Sequence, residues 1–394
     1  MKRPSSKSAP GVFRSRWGGT VGGIRLGAMT PDRDPLWDGE AAFRGVRARG
    51  VIDHLDARVE AARLAHEGFW VLVAQFDGAV DAWRFAEVER GAARPEHRAH
   101  GRKWVGPEKD SWRSSLDRDA YLAGVEAIRQ DIRDGEVYQV NLCRVLEAPL
   151  PAGPQGPDAV ALSHVLARGN PARFASRITI PHTDDAPGTW VVSASPELYL
   201  RVDGETVASA PIKGTAAPGE AMLPKDEAEN VMITDLIRND LSHVAQPGTV
   251  SVPELLGLHD HPGLVHLQST VCAQLAEDFA WTAKMWPALL AGTFPPGSVS
   301  GAPKEAALRI IAREETAPRG PYCGAIGWID ADRKVAELAV GIRTFWWDAA
   351  HGGTLRFGTG AGITWGSEAQ AEWAETELKA ARLIGLASID TIDP

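Results

Sequence analysis

Carboxylates at helical spacing could do chemistry in two stretches of this chain. In LPKDEAENVMITDLIRNDLSHV (223–244), Met232, Ile233, Leu236, Ile237, Leu241 and Val244 make an apolar stripe. Glu229 stands three and four residues before that stripe begins, so it falls on the inward side of a helix. Asp226 lies one turn earlier on the same side. An inward pair of carboxylates is costly without a cation. A second stretch, EWAETELK (372–379), repeats the device: Glu372 and Glu375 are three apart, and Lys379 follows Glu375 at i+4. Two helices with paired carboxylates can build an oxygen-only site, the donor set that suits Mg²⁺. The plainer alternative is a solvated face carrying a Glu375–Lys379 surface pair. Elsewhere, Gly360 and Gly362 in GTGAGIT would let backbone N–H groups approach an anion as a nest, or would simply make a tight turn. Neither a Walker nor a Rossmann spacing is present.

The elements that must position these groups alternate hairpins and helices without a regular βαβ rhythm. That points to an α+β fold built on antiparallel sheet. GFWVLVAQFDG and AVDAWRFAEV read as paired strands around Asp77-Gly78. DRDAYLAGVEAIRQDIRDGE has helical period, with Tyr121, Val125, Ile128 and Ile132 on one face, and YQVNLCRVLEA follows as a strand. ELYLRVDGETVASAPI reads as a hairpin turning at Asp203-Gly204, so that Val202 faces Glu205, Glu197 faces Ala210 and Ala194 faces Lys213. Strict alternation would put Glu197 and Lys213 on opposite faces, but Pro196 and Pro211 interrupt pairing there and leave the parity open. Residues 324–363 read as a meander of three strands, and Pro303 as the first residue of a helix. Residues 1–35 read as coil and 91–115 as loop. An N-terminal variable region (1–110) is expected to pack on a catalytic core (111–394).

With 44% hydrophobic and 24% charged residues in 394, the composition is that of an ordinary globular protein of one large domain or two intergrown ones. The net charge of −9 and the absence of a basic stripe argue against a nucleic-acid partner. A small anionic substrate would need a locally positive site, from a metal ion or from placed Arg and Lys. Cys143, Cys272 and Cys323 are far apart, with no Cys-x-x-Cys, so neither a disulfide framework nor a zinc site is expected and reduced cytoplasm fits. No apolar run reaches membrane-spanning length, so no membrane partner is expected. The start, MKRPSSKSAPGVFRSRWGG, lacks the apolar core of a signal peptide and reads as a frayed terminus.

Nine segments together resemble the signatures of the chorismate-utilising enzymes. They are YQVNL (138–142), SPELYL (195–200), PIKGT (211–215), AENVMITDLIRNDL (228–241), GSVSGAPK (297–304), RGPYCGAIGW (319–328), GIRT (341–344), GAGIT (360–364) and EWAETELK (372–379). They stand in the family's order over roughly residues 117–385, and nine in order are far more specific than one. The resemblance implies a mixed α/β fold in which two largely antiparallel sheets face each other, helices flank them and the site lies between. Within the family, PIKGT resembles the aminodeoxychorismate synthases component I; anthranilate synthases component I usually carry alanine where Lys213 stands. Isochorismate and salicylate synthases place a water-activating lysine where Gln139 stands.

The resemblance also implies roles. Chorismate must lose its C4 hydroxyl, a poor leaving group that calls for a general acid. Glu197 is that candidate, and Lys213 is the candidate nucleophile, which must be neutral to attack. Mg²⁺ is implied on Glu229 and Glu375 directly, with Asp226 and Glu372 acting through bound water. One chorismate carboxylate would go to the metal. The other would meet the Arg343 fork, Lys379, Tyr322 and the N–H groups of Gly360 and Gly362. Gly214 and Thr215 line the pocket beside Lys213, and His266 contacts the ring, although a lone histidine is more often structural. Ser300 either contacts substrate or caps the following helix. The product would be 4-amino-4-deoxychorismate, a precursor of 4-aminobenzoate and folate. No cysteine sits in a glutaminase-like nucleophile elbow, so ammonia would come from a separate glutamine amidotransferase subunit. The alternatives are an anthranilate synthase component I and, in another class, a non-catalytic chorismate-binding scaffold subunit.

Overall fold

A computed structural model of the protein describes residues 37–91 and 103–388, apart from residues 154, 185, 217, 218, 220, 223, 262 and 263. The coil expected at 1–35 lies outside the described residues, as do residues 92–102 of the loop expected at 91–115. The first strands are β1 (Trp37–Phe43) and β2 (Val46–Asp56), followed by the short helix α1 (Ala57–Glu60), β3 (Phe69–Ala74) and β4 (Val80–Arg90). Next come β5 (Arg113–Ser114), α2 (Arg118–Arg133), β6 (Gln139–Pro149), α3 (Ala159–Gly169), β7 (Phe174–Ile180) and β8 (Thr189–Ser195). The middle of the chain holds β9 (Leu198–Asp203), β10 (Thr206–Ala210), β11 (Ile212–Ala216), α4 (Pro224–Ser242), β12 (Ser251–His261) and β13 (Leu264–Gln274). Then follow α5 (Met285–Thr293), β14 (Gly301–Ala302), α6 (Lys304–Glu314), β15 (Ala325–Asp330) and β16 (Val335–Val340). β17 (Thr344–Asp348), β18 (Thr354–Ile363) and α7 (Ala369–Ala387) complete the core.

The α+β character is as expected, but the strands do not divide into two separate facing sheets. Among the described residues all eighteen strands join one hydrogen-bonded, antiparallel network. Its path starts β14–β6–β18–β17–β8–β7–β1–β2. It continues β4–β3–β15–β16–β9–β10–β13. β5 lies beside β6, and β11 and β12 lie on opposite edges of β13. The stretch 37–90 supplies the middle of this path, bonded to β7 at one end and to β15 at the other. One large hydrophobic core follows the sheet, and a second fills the space between α3, α7 and the strands β8, β17 and β18 with Leu162, Trp190, Phe345, Phe357 and Leu383.

Local signals account for most elements. Asp117 caps α2 by accepting from the Ala120 N–H at 2.8 Å. Tyr121, Val125 and Ile128 are buried as the period predicts. β3 and β4 pair around the turn at Asp77-Gly78. Three details differ. The β9–β10 hairpin turns one residue later than expected: Thr206 faces Asp203 and Val207 faces Val202, leaving Gly204-Glu205 as the loop. Gly204 at φ +59° takes the first loop position, as a type II′ turn requires, and Asp203 stays in the strand because it also pairs with Val335 of β16. The expected three-strand meander is four strands, because the run breaks at 341–343. Arg343 adopts φ +53° and its carbonyl accepts the Ala194 N–H at 3.0 Å. The break sends β16 to β9 and β17 to β8. Finally, Pro303 is the extended N-cap of α6 rather than its first residue. No described helix is long and apolar enough to cross a membrane.

Candidate active site

Pro196 ends β8, and the next residue is turned into the protein. The Ser195 hydroxyl donates to the Val340 carbonyl at 2.6 Å, and the Val340 N–H donates to the Glu197 carbonyl at 3.1 Å. This fixes Glu197 where β8, β9 and β16 meet. It is 3% exposed. Its carboxyl accepts from the Ser298 hydroxyl at 2.5 Å and from the Ile212 backbone. Burial pushes the carboxyl up to about 7, against the pull of these donors and of Lys213 and Lys379. A group that is half protonated near neutrality can give and take a proton there.

Lys213 reaches the same place by a route the hairpin count did not foresee. Pro211 ends β10, and β11 leaves β9 to pair with β13 alone. Ala194 pairs with Ala175 of β7 and does not face Lys213. The β11–β13 register slips between Ile212 and Thr215, at Gly214, which sits at φ +84°. A Cβ there would lie 2.7 Å from the Asp226 Cβ, so only glycine lets this bulge pack against α4. The bulge re-aims Lys213. Because the Glu197 carboxyl accepts from Ile212, the two candidate reactive groups are one residue apart around a hydrogen bond. Thr215 is opposite His266 of β13 in the ladder, and His266 is buried.

The carboxylates of α4 and α7 do converge. Glu229 is 12% exposed and Glu372 only 3%. The electrostatic neighbours of Glu229 include Glu372, Asp226 and Lys213. Burial raises the pKa of Glu229, partly offset by Lys213 and Lys225. Glu375 is the outermost member. Burial opposes its charge, but Lys379, bonded at 2.6 Å, together with Lys225 and Lys213 holds its carboxyl below the usual range. Among the described residues no three His, Cys, Asp or Glu side chains are close enough to hold a metal as they stand. Instead the Lys225 ammonium lies 2.8 Å from Glu372 Oε1 and 3.8 Å from Glu229 Oε1. The other oxygen of Glu372 is buried without a hydrogen-bond partner. Oxygen donors, an unmet buried carboxylate oxygen and a cation already drawn between the two helices fit a hard divalent ion in chemistry.

Gly360 and Gly362 lie within β18 rather than in a turn, and neither has a positive φ. They face Cys143 and Asn141 of β6. The Cys143 and Asn141 N–H groups point away from β18, to Glu315 at 2.9 Å and to the Ser300 carbonyl at 2.8 Å. In an antiparallel ladder the partners of such residues also point outward. Gly360 obeys this: its carbonyl accepts from Lys379 at 3.1 Å. The N–H groups of Gly360 and Gly362 therefore line one open strand edge beside Lys379, an anion-accepting row in place of the expected nest. Gln139 sits under that edge, 0% exposed, with neither amide atom partnered, and a Cβ on Gly362 would come within 2.5 Å of its nitrogen. An unmet buried amide costs roughly 1–3 kcal/mol, which a bound polar group would recover. Arg343 is mostly buried. Burial lowers its pKa, and Glu197 partly restores it.

Two further expected residues have contacts of their own within the protein. Tyr322 packs its ring where a Cβ on Gly358 would go and bonds the Cys143 side chain, in a buried group with Cys323 and Arg319. Ser300 is fully buried and donates to the Pro296 carbonyl at 3.0 Å, so it does not cap α6. Sequence reading missed two partners. Ser298 was inside a quoted motif but carried no local signal. Lys225 stands at i−4 from Glu229, a spacing that could have flagged it. Lys304, for which the sequence offered no role, ties its segment to α4 through Asp240 at 3.0 Å and to α5 through the Thr293 carbonyl at 3.1 Å.

The family description "chorismate binding enzyme" matches residues 79–385. An aminodeoxychorismate synthase from Streptomyces griseus is 38% identical over 291 residues, 71% of this chain and 37% of that protein. An anthranilate synthase component 1 from Halobacterium salinarum is 36% identical over 323 residues, 78% of this chain and 58% of that protein. The chain thus spans well under two thirds of these relatives. The crystal structure of anthranilate synthase component I from Streptococcus pneumoniae superposes with a TM-score of 0.67 at 21% identity, covering 94% of this chain and 95% of that one, a likeness of fold. With its motifs in order on a shared fold and the family's match spanning most of its length, this chain belongs to the chorismate-binding enzyme family.

Proposed function

We propose that the chain is an aminodeoxychorismate synthase component I, which aminates chorismate at C4. The observation that carries this reading is Lys213 set beside a buried, readily protonated Glu197. In the proposed reaction the neutral Lys213 amine adds to C2. The ring double bonds shift, and the C4–O bond breaks as Glu197 gives its proton, releasing water. Ammonia then adds at C4, the bonds shift back, and the Lys213 amine departs, leaving 4-amino-4-deoxychorismate. The Ser298 hydroxyl and the Ile212 N–H hold the Glu197 carboxyl and stabilise it after proton transfer. Arg343, Lys379 and the outward N–H groups of Gly360 and Gly362 hold one substrate carboxylate, and Gln139, Thr215 and His266 border the ring.

Mg²⁺, when held by Glu229 and Glu375 with Asp226 and Glu372 through water, would supply charge for the other carboxylate. Ammonia reaches the site from a separate glutamine amidotransferase subunit. Cys143 and Cys323 are buried and are not placed to act on glutamine. The pure chain is expected to consume chorismate with ammonium and Mg²⁺, to stop in chelator, and to lose roughly a hundredfold in rate on Glu229→Gln. A spectrophotometric assay of chorismate loss reads all three. Undiminished turnover of Glu229→Gln in chelator would refute the metal assignment, and no ammonium-dependent turnover would refute the synthase.

A further inference from the structure

We propose that Lys225 is the resident counter-cation of the carboxylate cluster and that a divalent cation displaces it, a reading that rests on the Mg²⁺ site proposed above. Lys225 is the second residue of α4. A cation in a first helical turn is disfavoured by the helix dipole, and a Lys placed four residues before a Glu is the weaker order of that pair. The helix alone gives no reason for a lysine there. The reason lies across the site. Its ammonium donates to Glu372 Oε1 of α7 at 2.8 Å and lies 3.8 Å from Glu229 Oε1 of its own helix. Glu375 and Asp226 complete the negative surroundings.

The members of the cluster differ in their freedom to move. Glu372 is 3% exposed, and its second oxygen is buried without a partner, so it waits for a ligand that can satisfy both oxygens. Lys225 is 38% exposed on a flexible four-carbon stem and can swing its head into water. Lys213 also acts on Glu229 and Glu375, and Lys379 pairs with Glu375, but Lys225 is the cation that bridges Glu372 and Glu229, and it brings a single charge. A divalent ion seeking the same oxygens would be repelled by the ammonium and would drive it out. Lys225 therefore stabilises the metal-free chain and weakens metal affinity by the same interaction, which keeps metal binding reversible.

The test uses the full chain stripped of metal, without chorismate, as wild type, Lys225→Met and Lys225→Arg. Isothermal titration with MgCl₂ gives the affinity, and thermal unfolding in EDTA gives the stability of the metal-free state. Lys225→Met is expected to unfold a few degrees lower in EDTA yet bind Mg²⁺ about tenfold tighter, the worth of a partly buried ion pair. Lys225→Arg keeps the charge and is expected to match wild type in both. Opposite movement of the two readouts separates displacement from structural damage, which would weaken both. Wild-type Mg²⁺ binding with equal or weaker binding in Lys225→Met would overturn the displacement. Absence of Mg²⁺ binding in wild type and Lys225→Met alike would instead overturn the metal site and the displacement with it.

Discussion

Lys213→Ala is expected to fold normally, to bind chorismate and to lose C4 amination by on the order of 10³-fold or more, the scale of losing a nucleophile. Binding survives because Arg343, Lys379 and the open edge of β18 are untouched. The direction of any residual chemistry is informative. A lysine added at C2 blocks that carbon and steers nitrogen to C4, so its removal should let residual amination drift to C2. Lys213→Arg separates covalent from electrostatic action. Arginine keeps the positive charge facing Glu197, Glu229 and Glu375 but has no readily deprotonated amine. Steady-state kinetics with product chromatography should show Lys213→Arg as impaired as Lys213→Ala. Near-normal C4 amination by Lys213→Arg would leave the lysine only an electrostatic role.

Glu197→Gln should separate activity from stability. Loss of the general acid is expected to lower kcat by about 10²–10⁴-fold. The same change should stabilise the fold at alkaline pH. The carboxyl titrates near 7 in the folded chain and near the ordinary 4.5 when unfolded. Its neutral form is therefore fully compatible with burial below about pH 4.5, and stability is lost as pH rises toward 7. Above that, the buried carboxylate costs on the order of 3 kcal/mol, at 1.36 kcal/mol for each pH unit. Glutamine keeps one acceptor oxygen, enough for the Ser298 hydroxyl, without the charge. Thermal unfolding in chelator should show Glu197→Gln gaining on wild type between pH 5 and pH 8, by a few degrees. In the wild type, kcat should fall above about pH 7 as the acid loses its proton. A pH-independent difference in stability would mean that Glu197 is not held neutral by its surroundings.

The sequence was most legible where structure is local. The stripe from Met232 to Leu241 places Glu229 inward because one helix face is enough to decide it, and Ile233, Ile237 and Leu241 are buried accordingly. The period of α2 worked for the same reason. Partner choice between distant strands was not legible. Nothing within residues 335–348 announces that Val340 will pair beside β9 while Thr344 pairs with Ser193, yet that break brings Arg343 to Glu197. The hairpin register failed by one residue because Asp203 is held by a third strand that no hairpin count includes. The proximity of Lys213 and Glu197 follows from a glycine bulge and an exchange of strand partner at Pro211, both long-range in origin. Motif order brought Glu197 and Lys213 forward together, whereas parity counting alone would have set them on opposite faces.

The most direct measurement is the identity of the product. The pure chain should be incubated with chorismate, Mg²⁺ and ammonium, and the mixture resolved by mass spectrometry with a parallel assay for pyruvate. A product that keeps the enolpyruvyl side chain and carries an amino group in place of the C4 hydroxyl, with no pyruvate released, is the predicted result. Anthranilate formed together with an equal amount of pyruvate would contradict it and place nitrogen at C2.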